Sequence, residues 1–92
     1  MEVTLKISGT MERFFPEKKI RFIFKGEAVL SDIYQTMGLL YGSKISKAVW
    51  NHKKNRFRGP VIISSDGRLL KNDDEKLYDG QIIELKRFLI GG

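Results

Sequence analysis

The sequence predicts one α+β domain in which a mixed sheet of four to five strands packs on one main helix. Three observations predict this fold class. Apolar and polar residues alternate near the start of the chain and again near its end, as in strands with one buried face. Between these regions, apolar residues recur every three or four positions, which is typical of an amphipathic helix. A sheet and a helix of this kind bury their apolar faces against each other.

The first two strands are predicted from alternation within the first 25 residues. The apolar positions of the two alternating runs are Val3, Leu5 and Ile7, then Ile20, Phe22 and Phe24. We expect the two strands to form a hairpin. The Phe14-Phe15 pair lies in the connecting loop, and we expect it to anchor this loop on the core, because aromatic rings bury a large apolar area.

The main helix is predicted from apolar residues separated by four, four and three positions. The residues with this spacing are Val29, Ile33, Met37 and Leu40. Such spacing places side chains on one helical face. We expect the helix to end near Gly38 or Gly42, because glycine is common at helix C-termini. Ile45, Ala48 and Val49 indicate a second short helix.

The last third of the chain predicts a hairpin and a closing strand. A strand over 61–63 is followed by Asp66-Gly67, which predicts a tight turn into residues 68–70. Residues 72–79 predict a polar loop, and the closing strand begins near Gln81. The closing strand's inward residues are Ile83 and Leu85. If the first and last strands pair in parallel at the sheet centre, the fold is a β-grasp.

Composition restricts what the chain does by itself. Its 92 residues predict one compact domain, the candidate β-grasp over 1–87, followed by a flexible C-terminal tail over 88–92. The absence of cysteine excludes disulfides, thiolate metal sites and cysteine nucleophiles. His52 is the only histidine, so we expect no metal site. The adjacent acids over 73–75 are expected to form a solvated turn or a helix start, and no serine lies in a nucleophile-elbow context.

The hydropathy pattern indicates where in the cell we expect the protein. The first ten residues alternate in polarity and do not form the apolar core of a signal peptide. No apolar run approaches the roughly 20 residues that span a bilayer. We therefore expect a soluble cytoplasmic protein with no membrane partner.

Positive charge is concentrated in the segment from Lys44 to Arg58. The net charge is +6, and this segment holds six Lys and Arg residues and no acid, so the rest of the chain is balanced. Cations interleaved with aromatic residues can bind RNA by phosphate contacts and base stacking. The alternatives are a solvated face with Trp50 in the core, or a patch for an acidic partner. We do not expect a nucleic-acid partner. The residues of the possible acidic-partner patch are Lys53, Lys54, Arg56 and Arg58.

The last five residues predict chemistry at the chain's end. They are Phe88, Leu89, Ile90, Gly91 and Gly92. Two glycines without β-carbons let the main chain enter a narrow channel, although frayed glycines are also common at chain ends. Five residues extend roughly 17 Å, enough to reach a partner's active site. The three apolar residues either dock on that partner, or Phe88 packs on the domain's own core.

The segment from Leu77 to Gly92 resembles the closing segment of the ThiS/MoaD family of ubiquitin-like sulfur carriers. In that family a Leu-x-Asp-Gly-Asp turn leads into an apolar strand and then to Gly-Gly. Here Asp79-Gly80 forms the turn and Gln81 replaces the second acid. Less sharply, residues 29–40 resemble the family's first helix. Asp66-Gly67 resembles its hairpin turn.

The resemblance implies a carrier and not an enzyme. A ubiquitin-activating-type enzyme would use ATP to adenylate Gly92, which would become a thiocarboxylate that gives sulfur to an accepting synthase. No cofactor would be bound by the chain itself. Arg87-Phe88 resembles the tail of thiazole-type carriers, whereas the insertion over 41–59 is similar to an extra helical segment of molybdopterin-type carriers. Molybdopterin synthesis, thiamine (thiazole) synthesis and tRNA thiolation therefore all stay open.

Two other functions stay open at this point. The first is a ubiquitin-like modifier that is conjugated through Gly92 to lysines of target proteins. The second is a β-grasp module that binds RNA through residues 44–58, with an affinity that falls steeply with salt.

Overall fold

The computed structural model describes residues 1–59 and 61–87. The strands are β1 (Glu2–Ile7), β2 (Lys19–Ile23), β3 (Trp50–Asn51), β4 (Arg56–Phe57), β5 (Val61–Ser65), β6 (Arg68–Leu69) and β7 (Gln81–Arg87). The α-helix is α1 (Leu30–Tyr41), and two short 3-10 helices span Gly9–Phe14 and Gly42–Lys44. Within the described ranges, no helix is long and apolar enough to cross a membrane.

The main sheet has five strands in the order β2-β1-β7-β5-β6. β1 and β7 are parallel, from Val3 opposite Gln81 to Ile7 opposite Leu85, and the other neighbouring pairs are antiparallel. The two ends of the described chain therefore meet in the centre of the sheet. This confirms the predicted fold class, a mixed sheet with one main helix and the β-grasp arrangement. β3 and β4 form a separate two-stranded sheet.

The core lies between the main sheet and α1. Phe24 follows the end of β2 and is half-buried, but the predicted alternation is otherwise confirmed, because the inward apolar residues of β1, β2 and β7 are at most 3% exposed. They are Val3, Leu5 and Ile7 of β1, Ile20 and Phe22 of β2, and Ile83 and Leu85 of β7. Burying one such side chain contributes roughly 1.5–3 kcal/mol. Phe15 is buried and Phe14 packs against the core, so the first loop is anchored as expected.

The buried face of α1 differs from the prediction at both ends. Val29 caps the helix instead of lying within it, and its N–H donates to Asp32 Oδ2 at 2.8 Å. Leu40 is 58% exposed. The prediction placed Val29 on the buried face, but the helix begins at Leu30, so the buried apolar stripe starts there. The buried helix residues are Leu30, Ile33, Tyr34 and Met37. The helix ends before Gly42, as expected.

The predicted second helix at residues 45–49 is wrong. The chain instead forms the 3-10 helix Gly42–Lys44, a turn, and the hairpin of β3 and β4. Trp50 pairs with Phe57 across this hairpin, and the two rings meet edge to face at 4.9 Å. Burial of these rings outweighs local helix propensity. The similarity of this insertion to a helical segment of molybdopterin-type carriers is therefore not confirmed.

The predicted turn between β5 and β6 is confirmed. Asp66 and Gly67 have φ values of 55° and 74°, and Ser65 pairs with Arg68 across them. Two successive residues with positive φ are typical of the type I′ turn that favours Asp-Gly.

Candidate functional site

The Asp79-Gly80 turn ties the start of β7 to the start of β1. Asp79 Oδ1 accepts a hydrogen bond from the Glu2 N–H at 2.8 Å, and the Gly80 N–H donates to the Glu2 carbonyl oxygen at 2.8 Å. Gly80 has a φ of 82°, a conformation that glycine adopts without the steric cost of a β-carbon. These contacts set the register in which β7 runs along β1.

Gln81 replaces an acid of the resembled family and is buried at the same turn. Its Nε2 donates to Ser65 Oγ at 2.9 Å, and its Oε1 accepts from the Tyr78 N–H at 3.1 Å. An amide can both donate and accept, whereas a buried carboxylate would only accept and would also lose hydration. The departure from the family pattern is therefore accommodated by hydrogen bonds to both the nitrogen and the oxygen of the Gln81 side-chain amide.

The other end of β7 lies beside the first 3-10 helix. Leu85 is the last β7 residue paired with β1, and its carbonyl oxygen accepts from the Ser8 N–H at 3.0 Å. The strand continues to Arg87, whose guanidinium carbon lies 5.7 Å from the centre of the Phe14 ring. The guanidinium carbon of Arg13 lies 4.7 Å from the same ring. We call Arg13, Phe14 and Arg87 the exit cluster.

Sequence reasoning did not predict the exit cluster. Phe14 was expected only to anchor a loop, and no pattern connects position 13 with position 87. The predicted site residues Phe88, Leu89, Ile90, Gly91 and Gly92 lie outside the described residues. Their roles stay predictions, as does the boundary between a domain over 1–87 and a tail over 88–92.

In the predicted basic patch, the two arginine side chains contact other parts of the described chain and the two lysine side chains do not. Lys53 and Lys54 are exposed in the turn between β3 and β4, and their N–H groups donate to Asn51 Oδ1 at 3.0 and 3.1 Å. Arg56 forms a two-pronged ion pair with Asp73, with one N–O distance of 2.5 Å. Arg58 Nε donates to the Trp50 carbonyl oxygen at 3.4 Å. Of the four patch residues, therefore, only Lys53 and Lys54 present charge without such an internal side-chain contact to the described residues.

The ion pair of Arg56 and Asp73 shifts the pKa values of both side chains. The hydrogen bond from Arg56 lowers the pKa of Asp73, and the same bond raises the pKa of Arg56. Arg56 also lies 5.2 Å from the ring centre of Tyr34 on α1. Burial, followed by the charge of Asp73, raises the pKa of Tyr34 to about 12. Arg56 and Asp73 are therefore charged at neutral pH, and Tyr34 is neutral. Because Arg56 contacts both Asp73 and Tyr34, it joins the β3–β4 hairpin to the 72–79 loop and to α1.

The aromatic residues of the basic segment are part of the core. Trp50 is fully buried, and Phe57 packs against Phe15, Tyr34 and Trp50 with ring centres 4.9 to 6.1 Å apart. Trp50 therefore offers no open face for stacking a base, and Phe57 is half-buried against three other rings. This confirms that Trp50 lies in the core. The RNA-binding alternative therefore cannot use Trp50 for stacking, and the choice between a solvated basic face and a patch for an acidic partner stays open.

No metal site is formed by the residues described. Over 1–59 and 61–87, no three His, Asp or Glu side chains are grouped so that they could hold an ion. His52 Nε2 contacts the Gly42 carbonyl oxygen, which joins the β3–β4 turn to the end of α1.

The architecture defines this protein as a member of the ubiquitin-like β-grasp fold class. The chain matches no protein-family model and no curated protein. Its fold is similar to small archaeal modifier protein 1 (SAMP1) from Haloferax volcanii, with a TM-score of 0.74, 15% identity and full coverage of both chains.

Two further solved structures share the fold. One is the complex of subunits 1 and 2 of molybdopterin-converting factor from Helicobacter pylori, with a TM-score of 0.63, 20% identity and full coverage of both chains. The other is Urm1 from Trypanosoma brucei, with a TM-score of 0.63 and 16% identity over 99% of this chain and 95% of that one. At these identities the likeness shows the fold. It confirms at that level the resemblance to ThiS/MoaD-type proteins.

Proposed function

We propose that this protein is a sulfur carrier whose working group is the carboxylate of Gly92. The observation that carries the proposal is the position of β7 in the sheet. Its start is tied by the Asp79-Gly80 turn, its apolar residues are locked in the core, and it extends past its last partner on β1 to Arg87. A rigid strand of this kind is a firm base for a reactive group that follows it.

The chemistry is supplied by a partner enzyme of the ubiquitin-activating type. That enzyme transfers AMP from ATP to the Gly92 carboxylate and releases pyrophosphate. Hydrosulfide supplied by the sulfur donor then attacks the carbonyl carbon, so that a C–S bond forms as the C–O bond to AMP breaks, and the product is a thiocarboxylate. The sulfur passes to an accepting synthase, and water restores the carboxylate. In this scheme the chain is a co-substrate, binds no cofactor itself and works in the cytoplasm.

The tail residues have separate roles in the proposal. Gly91 and Gly92 have no side chains, so the main chain can enter a channel too narrow for other residues. Phe88, Leu89 and Ile90 supply apolar area that a partner buries on docking. The fold similarity to subunit 1 of molybdopterin-converting factor, which is solved in complex with subunit 2, supports a protein partner for this chain as well. Molybdopterin synthesis, thiazole synthesis and tRNA thiolation use the same carrier chemistry, so the acceptor has to be determined by experiment.

A second candidate function is supported by the fold similarity to small archaeal modifier protein 1. In this alternative, Gly92 is activated in the same way but ends in an isopeptide bond to a lysine of a target protein. The two functions share the tail and differ in the nucleophile that attacks the activated carboxylate.

The test is the intact mass of the protein after incubation with the host's ubiquitin-activating-type enzyme, ATP and a sulfur donor. We expect one oxygen to be exchanged for sulfur in the full chain and no exchange in a variant that lacks Gly92. Adducts with the mass of a second protein, formed through a lysine, would favour the modifier function. An unchanged mass in the presence of an enzyme shown to be active would overturn the sulfur-carrier function and favour the modifier function.

A further inference from the structure

A groove of about 470 Å³ lies between the connection from β1 to β2 and the segment that follows α1. Its apolar residues include Phe14, Phe15 and Ile45. Its cationic residues include Arg13, Lys44 and Lys47. We call this the basic groove. The proposed function assigns no role to it.

The apolar part of the basic groove is fixed by packing. Phe15 and Ile45 are buried, and Phe14 packs against the core. The two sides are joined by a backbone hydrogen bond in which the Ser46 N–H donates to the Phe14 carbonyl oxygen at 3.2 Å. The Ile45 N–H donates to the Tyr41 carbonyl oxygen at 3.1 Å, which attaches one side to the end of α1. The groove is therefore preformed.

The cations of the basic groove have no internal counter-charge. Arg13, Lys44 and Lys47 are all exposed, and none pairs with a carboxylate of residues 1–59 or 61–87. The two acids nearest to Arg13 in the sequence are used elsewhere. Glu12 lies 3.8 Å from Lys18 Nζ. Glu17 accepts the Tyr41 hydroxyl at 2.9 Å.

We propose that the basic groove binds an acidic segment of a partner protein. Carboxylates of the segment would pair with Arg13, Lys44 and Lys47, while an apolar side chain between them would pack on the apolar lining of the groove. Three uncompensated cations around an apolar surface favour an anionic ligand by charge complementarity. The volume lies in the range of sites that hold several side chains or a small organic ligand.

The surroundings of Phe14 favour a peptide over a nucleic acid. Its ring is covered by the guanidinium groups of Arg13 and Arg87, at 4.7 and 5.7 Å, and the neighbouring Phe15 is buried. Single-stranded nucleic acids bind grooves of this kind through bases stacked on open aromatic faces, which this groove does not present. An inorganic phosphate would leave the apolar surface unused.

The basic groove is continuous with the exit cluster, because Arg13 and Phe14 belong to both. A partner whose acidic segment occupies the groove therefore stands beside the end of β7. The inference does not require Gly92 to carry sulfur, since it concerns binding by the folded domain. Its failure and the failure of the proposed function are separate results.

The test uses the full-length protein labelled with ¹⁵N and a short peptide in which Glu alternates with Leu. We expect addition of the peptide to shift the amide signals of Phe14, Phe15 and residues 43–47. The same peptide with Gln in place of Glu should bind at least about tenfold more weakly, because its charge pairing is lost. Raising the salt concentration should weaken binding of the Glu peptide and leave binding of the Gln peptide nearly unchanged.

Two double variants with the same charge change make the test specific. Lys44→Glu with Lys47→Glu should weaken binding of the Glu peptide about tenfold or more. Lys53→Glu with Lys54→Glu, in the β3–β4 turn, should change it by less than about twofold. Equal losses in both variants, or amide shifts outside the groove, would overturn the proposal. Tighter binding of a single-stranded RNA or of inorganic phosphate in the groove would also overturn it.

Discussion

Single residues decide how β7 is placed, and Gly80 is the clearest case. Its φ of 82° lets the turn bring Asp79 Oδ1 and the Gly80 N–H to the two backbone groups of Glu2. A residue with a β-carbon adopts this conformation only with strain. The Asp-Gly pair that marks the resembled family thus has a mechanical role here, which is to set the register of the closing strand.

Gly80→Ala should lower the free energy of unfolding by about 1–2 kcal/mol, because alanine is strained at positive φ. Gly42→Ala is the matched control. A β-carbon there meets no atom within 4 Å and the φ is −38°, so stability should change by less than about 0.5 kcal/mol. Urea denaturation of both variants measures the difference. Equal stabilities would contradict the role of the turn.

Asp73 and Arg56 make stability depend on pH in the acid range. The hydrogen bond from Arg56 lowers the pKa of Asp73 below its ordinary value of 3.8. The pair therefore contributes fully above that value, and its contribution is lost as the pH falls through the folded-state pKa. Because both groups are largely exposed, the contribution is only about 0.5 kcal/mol.

Asp73→Asn should thus be less stable than the parent protein by about 0.5 kcal/mol at neutral pH and equal to it in strong acid. Thermal unfolding at a series of pH values measures this difference. Asp74→Asn is the control, because Asp74 forms no ion pair within the described parts of the chain. A deficit for Asp73→Asn that persists unchanged in acid would show that the loss comes from something other than the ion pair.

Among the elements, β7 combines structural and functional demands. It is the central strand, bonded to β1 on one side and β5 on the other. Ile83 and Leu85 are fully buried, whereas Ile82 on the opposite face is 57% exposed. The strand therefore holds the sheet together with one face and leaves its other face partly open to solvent.

Leu85→Ala should lower the free energy of unfolding by about 2–5 kcal/mol, because it leaves a cavity at the sheet centre. Ile82→Ala, on the exposed face of the same strand, should change it by less than about 0.5 kcal/mol. Chemical denaturation distinguishes the two. A negligible cost for Leu85→Ala would be incompatible with a central position of β7.

The β3–β4 hairpin shows how tertiary packing changes the structure of an element. Residues 45–49 have apolar spacing that suits a helix, but Trp50 and Phe57 pair across a hairpin and pack with Tyr34 and Phe15. Asn55, at a φ of 53°, supports the turn. The partner rings come from α1 and from the first loop. No local pattern specifies this arrangement.

At the scale of the whole molecule, the domain and its tail are expected to be energetically independent. Removal of Gly92 should leave the free energy of unfolding within about 0.5 kcal/mol of the parent value, because glycine has no side chain whose loss could leave a cavity. The same deletion should abolish the exchange of oxygen for sulfur. Thermal unfolding and intact mass measure the two effects on one sample. Ile82→Ala is the control that should keep both properties.

A large loss of stability on removal of Gly92 would mean that the tail belongs to the core. Continued exchange in that variant would mean that another group receives the sulfur. The first result would contradict the division into domain and tail. The second would contradict the identification of Gly92 as the working group.

The sequence by itself determined the strands of the main sheet and the hairpin turn at Asp66-Gly67, and it supplied the candidate chemistry at Gly92, which stays a prediction. Side-chain alternation and turn residues act locally, and a residue's neighbours in the chain are enough to predict them. The same holds for the charge of residues 44–58 and for the burial of Trp50, which its size and apolar character favour.

The tertiary structure decided which of these elements meet. The parallel pairing of β1 with β7, the ion pair of Arg56 with Asp73 and the approach of Arg13 and Arg87 to Phe14 all join distant parts of the chain. Packing against the sheet also determines which face of α1 is buried, since Leu30 lies in the core and Leu40 is exposed. These contacts depend on packing between elements, and local sequence patterns carry no information on it.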